Sequence, residues 1–440
     1  MKKLLIINYS LLIILASCSV SKQISKNANL LIKDSSLLNA HIGISIFDPS
    51  SGKYLYNYQG DKYFVPASNT KLFTCYAGMK YLGDSLTGIL YEQNEGRLKI
   101  IGNGDPTFLH PDFKTQPVFD FIKKNTAKEL MLCEMRTTKS AVPLNALGMG
   151  WAWDDYNSSD MAERSFFPVY GNVVTFGLQN HEVKVQPAFF KKYLFQQEKG
   201  LDSFEVERQR ESNFFFISKG NSKKAILPFR VGLDKDIPSI EAGLLADTIK
   251  KSIEFCRTVY PSRPDLKRIH SQPTDSLFKP MMHRSDNFFA EQTLLMVSNE
   301  KLGYMNDEAI IDTLLKTDLK DVPQKPKWVD GCGLSRYNLF TPQDFIFILN
   351  KIKNEFGLER IKNILATGGT GTISRYYQNM AGSIFAKTGT LSNNCALSGY
   401  LITKKGKLLL FSILANNYQT AATPVRRAVE KFINYLRNNY

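Results

Sequence analysis

Apolar and polar positions alternate through residues 40–60, AHIGISIFDPSSGKYLYNYQG, which predicts two strands meeting at the turn-rich DPSSG. The pattern then changes period. Leu72, Cys75, Tyr76 and Met79 recur at helical spacing, with Pro66 and Ser68 punctuating the start of that helix and Gly83 its end. Near the other terminus, GSIFAKTGTLSNNCALSGYLITKKGKLLLFSILANNY is rich in β-formers, and KKGK makes a turn between two apolar runs. Val425, Ala428, Val429, Phe432, Ile433 and Leu436 then mark one face of a final helix opened by Pro424. Strands near both ends, each flanked by helix, predict one antiparallel sheet assembled from the two termini. Between about residues 88 and 265, short β-like runs such as GRLKIIGNGDPTF, SFEVERQRESNFFFISKG and AILPFRVG alternate with polar turns, and predict inserted β-rich modules.

The amino terminus has a different character. MKKLLIINYSLLIILASC places Lys2 and Lys3 before an apolar run broken only by Asn8, Tyr9 and Ser10, the pattern of a bacterial export signal rather than part of the fold. Its apolar stretch is short for a spanning helix. LASC resembles the lipobox of bacterial lipoproteins, which implies a lipidated Cys18 as the mature amino terminus. Ser19 behind it, in place of aspartate, resembles signals for the outer membrane. Multiple acyl chains on one residue anchor firmly where a single chain does not. The polar residues 19–35 read as a tether. Five cysteines remain, an odd and scattered set that makes a poor disulfide framework, and Cys75 reads as a small buried hydrophobe. No metal or other cofactor is implied.

With 440 residues, 43% of them hydrophobic, the chain is long enough for more than one domain and is not of the disordered class. Its net charge of +15 draws it toward anionic surroundings. Nucleic acid conflicts with the export signal, and neither a zinc-finger spacing nor a basic–aromatic repeat supports it.

Candidate chemistry begins at Ser68 and Lys71, three apart and so on one face of a helix. Desolvation and neighbouring positive charge disfavour an ammonium, and a neutral lysine amine beside a serine can take the hydroxyl proton as the serine attacks a carbonyl. Ser-x-x-Lys alone recurs by chance in many chains. Ser285, Asp286 and Asn287 in HRSDNFFAEQTLL place a hydroxyl and an amide on one side of an extended turn, although alone they read as a helix N-cap. In AKTGTLSN, strand alternation turns Lys387 and Gly389 one way and Thr388 the other. Gly389 admits close approach to the backbone and Lys387 offers a positive charge.

Together and in this order the three resemble the Ser-x-x-Lys, Ser-x-Asn and Lys-Thr-Gly set of penicillin-binding proteins and serine β-lactamases. The long separation of Ser68 from Ser285, with IIGNGDPTF and GWAWDDYN between, is similar to the D-alanyl-D-alanine carboxypeptidase/endopeptidase family, also called peptidase family S13 or class C low-molecular-mass penicillin-binding proteins. DGCGLSRYNLFTPQD and GGTGTISRYY continue that pattern, so the resemblance runs from about residue 35 to 438.

The resemblance implies an α/β transpeptidase-like core split in sequence by β-rich insertions. The chain would then divide into a signal peptide at 1–18, a tether at 19–35, core at 36–87, inserted domains at 88–265 and core again at 266–440. Ser68 is implied as the acylated nucleophile, Lys71 as its base, Ser285 as a proton relay and Asn287 as a holder of the substrate amide. Lys387 would complete the positive environment, and Thr388, Gly389 and Thr390 would line the carboxylate end of the substrate. The oxyanion would meet the backbone N–H groups of Ser68 and Thr390. Asp155 in GWAWDDYN either caps a turn or lies near a substrate ammonium. Cys332 stands where the family commonly has serine, and is weighed as a competing nucleophile only weakly.

The implied partners are peptidoglycan peptides, β-lactams as inhibitors and a membrane reached through the lipid anchor, on the periplasmic side of the envelope. Two alternatives stay open on sequence alone: a serine β-lactamase or esterase on the same fold, and a catalytically silent peptidoglycan-binding lipoprotein. The long insertion disfavours the first, and the intact motif residues disfavour the second.

Overall fold

A computed structural model describes residues 22–137, 144–231, 239–260 and 266–440; Cys18 and the signal segment lie outside the described residues. The two ends of the chain build one antiparallel sheet. Its order is Ala366–Thr367, Ile384–Leu391, Asn394–Ile402, Leu408–Asn416, His41–Asp48, Lys53–Tyr58. The DPSSG turn and the KKGK turn both fall between paired strands, as the alternation predicts. Asn394–Ile402 and Leu408–Asn416 are nearly continuously buried because helices cover both faces of the sheet.

On one face, Ile44, Leu401, Phe411 and Ile413 pack against Val425, Val429, Phe432 and Leu436 of the C-terminal helix, Ala422–Asn439. On the other, Tyr400, Leu410 and Leu414 pack against Leu72, Phe73 and Tyr76 of the helix Lys71–Tyr81, and against Phe345 and Leu349 of the helix Pro342–Phe356. The result is a helix–sheet–helix sandwich of mixed α/β class.

Two expectations change here. Residues 22–32, read as polar tether, are helical, and Ile24, Ala28 and Leu31 are buried in the core that holds the C-terminal helix. Their spacing of four and three is a narrow apolar stripe, hidden among the polar residues that face solvent. The cysteines also differ: Cys133 and Cys256 form a disulfide. They sit opposite each other on neighbouring strands, a pairing created by sheet register across 123 residues of chain, which spacing alone does not reveal. Cys75 is buried and free, as expected of a small hydrophobe.

The intervening region contains the predicted strands but is less purely β than its texture suggests. A five-stranded sheet runs in the order Glu254–Tyr260, Glu129–Thr137, Arg97–Gly102, Ser85–Asn94, Lys267–Pro273. Three of these strands are mutually parallel, and parallel neighbours need long crossovers. The helices Pro117–Lys124 and Ile240–Ile249 lie within those crossovers, and Ile122, Leu244 and Leu245 are buried in the region's own core. Two three-stranded sheets complete it. Among the described residues no helix is long and apolar enough to cross a membrane.

Candidate active site

Ser68 lies in a single 3₁₀ turn, Ala67–Thr70, that feeds directly into the helix beginning at Lys71. The tight turn keeps the pair on one face: Lys71 Nζ is 2.9 Å from Ser68 Oγ. Asn69 Nδ2 donates to Ser398 Oγ at 2.7 Å, and Ser398 meets Ser412 at 2.9 Å, so the turn is fastened to the centre of the sheet. Ala67 has a φ of 49° and Ser285 one of 66°, left-handed values uncommon for residues with a side chain. Such backbone persists only where surrounding contacts hold it; Ala67 directly precedes Ser68, and Ser285 opens the Ser-x-Asn motif.

The Lys71 side chain is completely buried. Besides Ser68, its Nζ meets Asn287 Oδ1 at 2.6 Å and the Cys332 carbonyl oxygen at 2.8 Å. A neutral amine has two N–H groups and one lone pair. Those two donors match the two obligate acceptors, which leaves the lone pair for the Ser68 hydroxyl. Burial holds Lys71 below the ordinary lysine value, against the opposing pull of Cys332, Asp330, Asp286 and Glu291.

That acidic shell is itself well partnered. Asp330 accepts from the backbone N–H groups of Gly333 and Ser335, from Asn338 and from the Trp151 ring N–H. Glu291 accepts the Cys332 N–H at 2.7 Å, which fixes the loop whose carbonyl faces Lys71. Burial pushes Glu291 up to about 7, reinforced by Asp330 and opposed by Arg164, whose Nη1 lies 3.2 Å from the carboxylate. Donor atoms of Glu291, Asp330 and Cys332 lie within 4.8 Å of one another, but N–H donors already occupy the two carboxylates. The Cys332 thiol is buried and pushed well above its usual range by burial, then by Asp330 and Glu291, so it is a poor nucleophile. The residue's backbone carbonyl, not its sulfur, faces the site. Gly333 beside it has a φ of 87°, and a Cβ there would come within 2.0 Å of the Ala67 carbonyl oxygen, so the loop can touch the Ser68 turn only as glycine.

Asp286 caps the helix Asn287–Leu302 by accepting the Phe289 N–H, so the N-cap reading and the motif reading hold together. Asn287 leads that helix, with Oδ1 on Lys71 and Nδ2 donating to the Asp160 carbonyl at 2.9 Å. A groove of about 520 Å³ runs beside Asn287, lined also by His110, Tyr170 and Lys224 of the intervening region.

Across the site, Lys387 pairs in register with Ser398 and therefore points to the Ser68 face; Thr388 and Thr390 turn to the face of the C-terminal helix. Lys387 Nζ contacts Ser285 Oγ at 2.9 Å and the Thr388 carbonyl at 2.6 Å. The sequence suggested a standing positive charge. In the structure the side chain is fully buried and held well below the lysine range, by burial first and then by Lys71. A Cβ on Gly389 would fall 2.5 Å from the Pro66 carbonyl oxygen and 3.1 Å from the Ser68 nitrogen, so this strand and the Ser68 turn meet backbone to backbone. Asp155 is exposed in the turn Trp153–Asn157, whose C-cap N–H, from Ser158, bonds its carbonyl. Trp151 packs inward, its ring N–H donated to Asp330.

Reading by motif missed Arg164 and Arg426. Arg164 is buried between Glu291 and Asp307, and the lone Glu291 inside the apolar run FFAEQTLLMV was a legible sign of a buried partner. Arg426 Nη2 donates to Thr390 Oγ1 at 2.7 Å.

The chain is 26% identical over 485 aligned positions to the D-alanyl-D-alanine carboxypeptidase DacB of Haemophilus influenzae, covering 100% of this chain and 99% of that protein. It is 23% identical to the D-alanyl-D-alanine carboxypeptidase of Actinomadura sp. (strain R39), over 91% of this chain and 82% of the relative. The crystal structure of penicillin binding protein 4 from Haemophilus influenzae superposes with a TM-score of 0.73 at 20% identity, covering 94% of this chain and 99% of the other, which places the fold among those proteins. The model of the D-Ala-D-Ala carboxypeptidase 3 (S13) family matches residues 24–436, nearly the whole described chain, and the protein belongs to that family.

Proposed function

We propose that this D-Ala-D-Ala carboxypeptidase of the penicillin-binding-protein group works through an acyl-enzyme on Ser68, and that it cuts both terminal D-alanine and D-alanyl cross-links of peptidoglycan. One observation carries the reading: the buried Lys71 nitrogen sits 2.9 Å from Ser68 Oγ, with Asn287 Oδ1 and the Cys332 carbonyl oxygen as its two other contacts.

Ser68 Oγ bonds to the D-alanyl carbonyl carbon as its proton passes to Lys71. The resulting oxyanion is received by the Ser68 and Thr390 N–H groups. Collapse breaks the peptide bond. The proton returns through Lys71 and Ser285 to the leaving amine, which departs as D-alanine or as the amino end of a cross-link. Water then attacks the ester with Lys71 again as base, restoring Ser68. Asn287 meets Lys71 through Oδ1 and the Asp160 carbonyl through Nδ2, and on this reading it exchanges the Asp160 contact for the substrate amide. The groove beside it gives room for an extended peptide.

Penicillin should form a long-lived ester on the same serine. Intact-mass spectrometry of the chain lacking residues 1–18 tests this: one adduct is expected, and none on S68A. An adduct that persists on S68A, or maps to Cys332, rejects the assignment. Rapid turnover of penicillin with no cleavage of muropeptides favours a β-lactamase instead. Incubation with pentapeptide monomers and cross-linked dimers should cut both, and cleavage of monomers alone removes the endopeptidase part.

The reading extends to location: a lipidated Cys18 on the periplasmic side, most simply at the outer membrane, with the +15 chain held near anionic envelope polymers. The Cys133–Cys256 disulfide supports an oxidising compartment. A palmitate analogue should label the wild type, and label on C18A would refute the anchor.

A further inference from the structure

Lys71 has two contacts besides Ser68, and both are backed by one short stretch of the intervening region. Residues 160–165 run beside the first turns of the helix Asn287–Leu302 and meet its polar side chains in order. The Asp160 carbonyl accepts Asn287 Nδ2 at 2.9 Å, Arg164 Nη1 reaches Glu291 at 3.2 Å, and the Ser165 N–H donates to Gln292 Oε1 at 3.1 Å. Asn172 fastens the stretch from behind, with Nδ2 2.8 Å from the Glu163 carbonyl and 3.0 Å from Ser165 Oγ.

Arg164 is the charged member of this stretch, and its side chain is buried. Its Nε donates to the Asn145 carbonyl at 3.0 Å and its Nη2 to the Leu147 carbonyl at 2.9 Å, while Nη1 serves Glu291 and Asp307. Glu291 uses both of its oxygens: Oε2 receives Arg164, and Oε1 receives the Cys332 N–H at 2.7 Å. The carbonyl of that same Cys332 lies 2.8 Å from Lys71 Nζ. An unbroken line of contacts thus runs from Arg164 through Glu291 and Cys332 to Lys71. The other end of the Cys332 loop is held nearby, because Trp151, whose ring centre is 5.7 Å from the Arg164 guanidinium, donates to Asp330 at 3.0 Å.

Stability gives little reason for this arrangement. Burying an arginine with carboxylates carries a desolvation cost, and apolar side chains in such places often do as well or better. Glu291 stands inside the apolar run FFAEQTLLMV, where another leucine would pack. Burial and Asp330 favour the neutral form of Glu291, and Arg164 opposes them. An ionised carboxylate is the stronger acceptor for the Cys332 N–H.

We propose that Arg164 is a positioning residue which the intervening region contributes to the reaction: through Glu291 it fixes the Cys332 carbonyl, and with it the aim of Lys71 at Ser68. The inference rests on the acyl-serine reading for the role of Lys71. It adds that the intervening region sets the rate of the chemical step, not only access to the site.

The test follows penicillin acylation by time-resolved intact-mass spectrometry over a range of concentrations, which separates the maximal rate from the half-saturating concentration. R164Q should lower the maximal rate on the order of 10²-fold, the loss expected when a reacting group is misplaced, and leave the half-saturating concentration unchanged. R164K, which keeps the charge without the fork, should recover part of the rate. D307N removes the other carboxylate on Arg164 and should lower the melting temperature while keeping the wild-type maximal rate. E291Q should also slow acylation, and R164Q/E291Q should be no slower than the slower single variant, because residues acting through one contact are not additive. Thermal melts establish that each variant is folded. A folded R164Q with the wild-type maximal rate overturns the proposal. So do losses in R164Q and E291Q that multiply in the double variant, a rise in half-saturating concentration alone, and a D307N as slow as R164Q. Should R164Q not fold, wild-type maximal rates in both R164K and E291Q overturn it. A fluorophosphonate, whose fluoride leaves as Ser68 Oγ bonds to phosphorus, serves as a second probe that needs the base but no peptide-like acyl group. If penicillin leaves no adduct while phosphonylation of Ser68 still falls in R164Q, the penicillin-binding peptidase reading fails and the Arg164 assignment stands. A wild-type protein marked by neither reagent overturns both.

Discussion

Replacing Lys71 by arginine probes the centre of the proposed mechanism, because it fixes a cation there and removes the lone pair. Lys71 is completely buried, and Ser68 Oγ, Asn287 Oδ1 and the Cys332 carbonyl lie 2.9, 2.6 and 2.8 Å from its nitrogen. Arginine does not lose its proton in the accessible pH range, so K71R has no base for the serine. Acylation by penicillin should fall by about 10²- to 10⁴-fold, the range for a lost general base.

Stability supplies a second and independent readout. The Lys71 pKa is lowered in the folded protein, by burial first. Between that lowered value and the ordinary one near 10.5, the unfolded chain binds a proton that the folded chain has released. Stability therefore rises with pH across this window, at up to about 1.4 kcal/mol per pH unit for one group. Below the window both states are protonated, and the burial penalty is present in full. Arginine has no such window. The stability of the wild type relative to K71R should therefore grow as pH rises toward 10.5, as measured by urea unfolding at several pH values from 7 upward. Time-resolved intact-mass spectrometry gives the acylation rate. Near-normal acylation of K71R refutes the general-base account, and a stability difference that stays flat with pH refutes the claim that Lys71 releases its proton early.

G389A should lose acylation by at least about 10-fold and destabilise the fold by about 1–3 kcal/mol, since the new methyl meets the Pro66 carbonyl and the Ser68 nitrogen; normal adduct formation would show that the strand does not abut the nucleophile. C332A should acylate at the wild-type rate, because only the Cys332 carbonyl faces Lys71, and a large loss in adduct yield would give the thiol a role. Removing the disulfide in C133A/C256A should cost about 2–4 kcal/mol in urea unfolding while leaving penicillin acylation intact. Loss of acylation in that folded variant would tie the intervening sheet to the chemistry.

Much of the candidate site's geometry was legible in the chain because it rests on local spacing. Ser68 and Lys71 are three residues apart, and either a 3₁₀ or an α turn puts them on one side, so the contact at 2.9 Å did not depend on knowing which turn forms. Strand alternation likewise separated Lys387 from Thr388. The continuous apolar runs near the C-terminus and the amphipathic final helix predicted a buried sheet with a helix laid on it. What tertiary structure alone decided are the encounters between distant segments. Sheet register placed Cys133 opposite Cys256 across 123 residues, although the cysteine count argued against a bridge. Packing turned residues 22–32 from a polar segment into a helix with three buried side chains. The ionisation of the two lysines was decided the same way. Both are lysines in short motifs, but Lys71 is surrounded by acids brought from residues 286, 291 and 330, whereas Lys387 has burial and another lysine acting on it. Charge state depends on how deeply a group is buried and on what faces it, and neither quantity exists until the chain has folded.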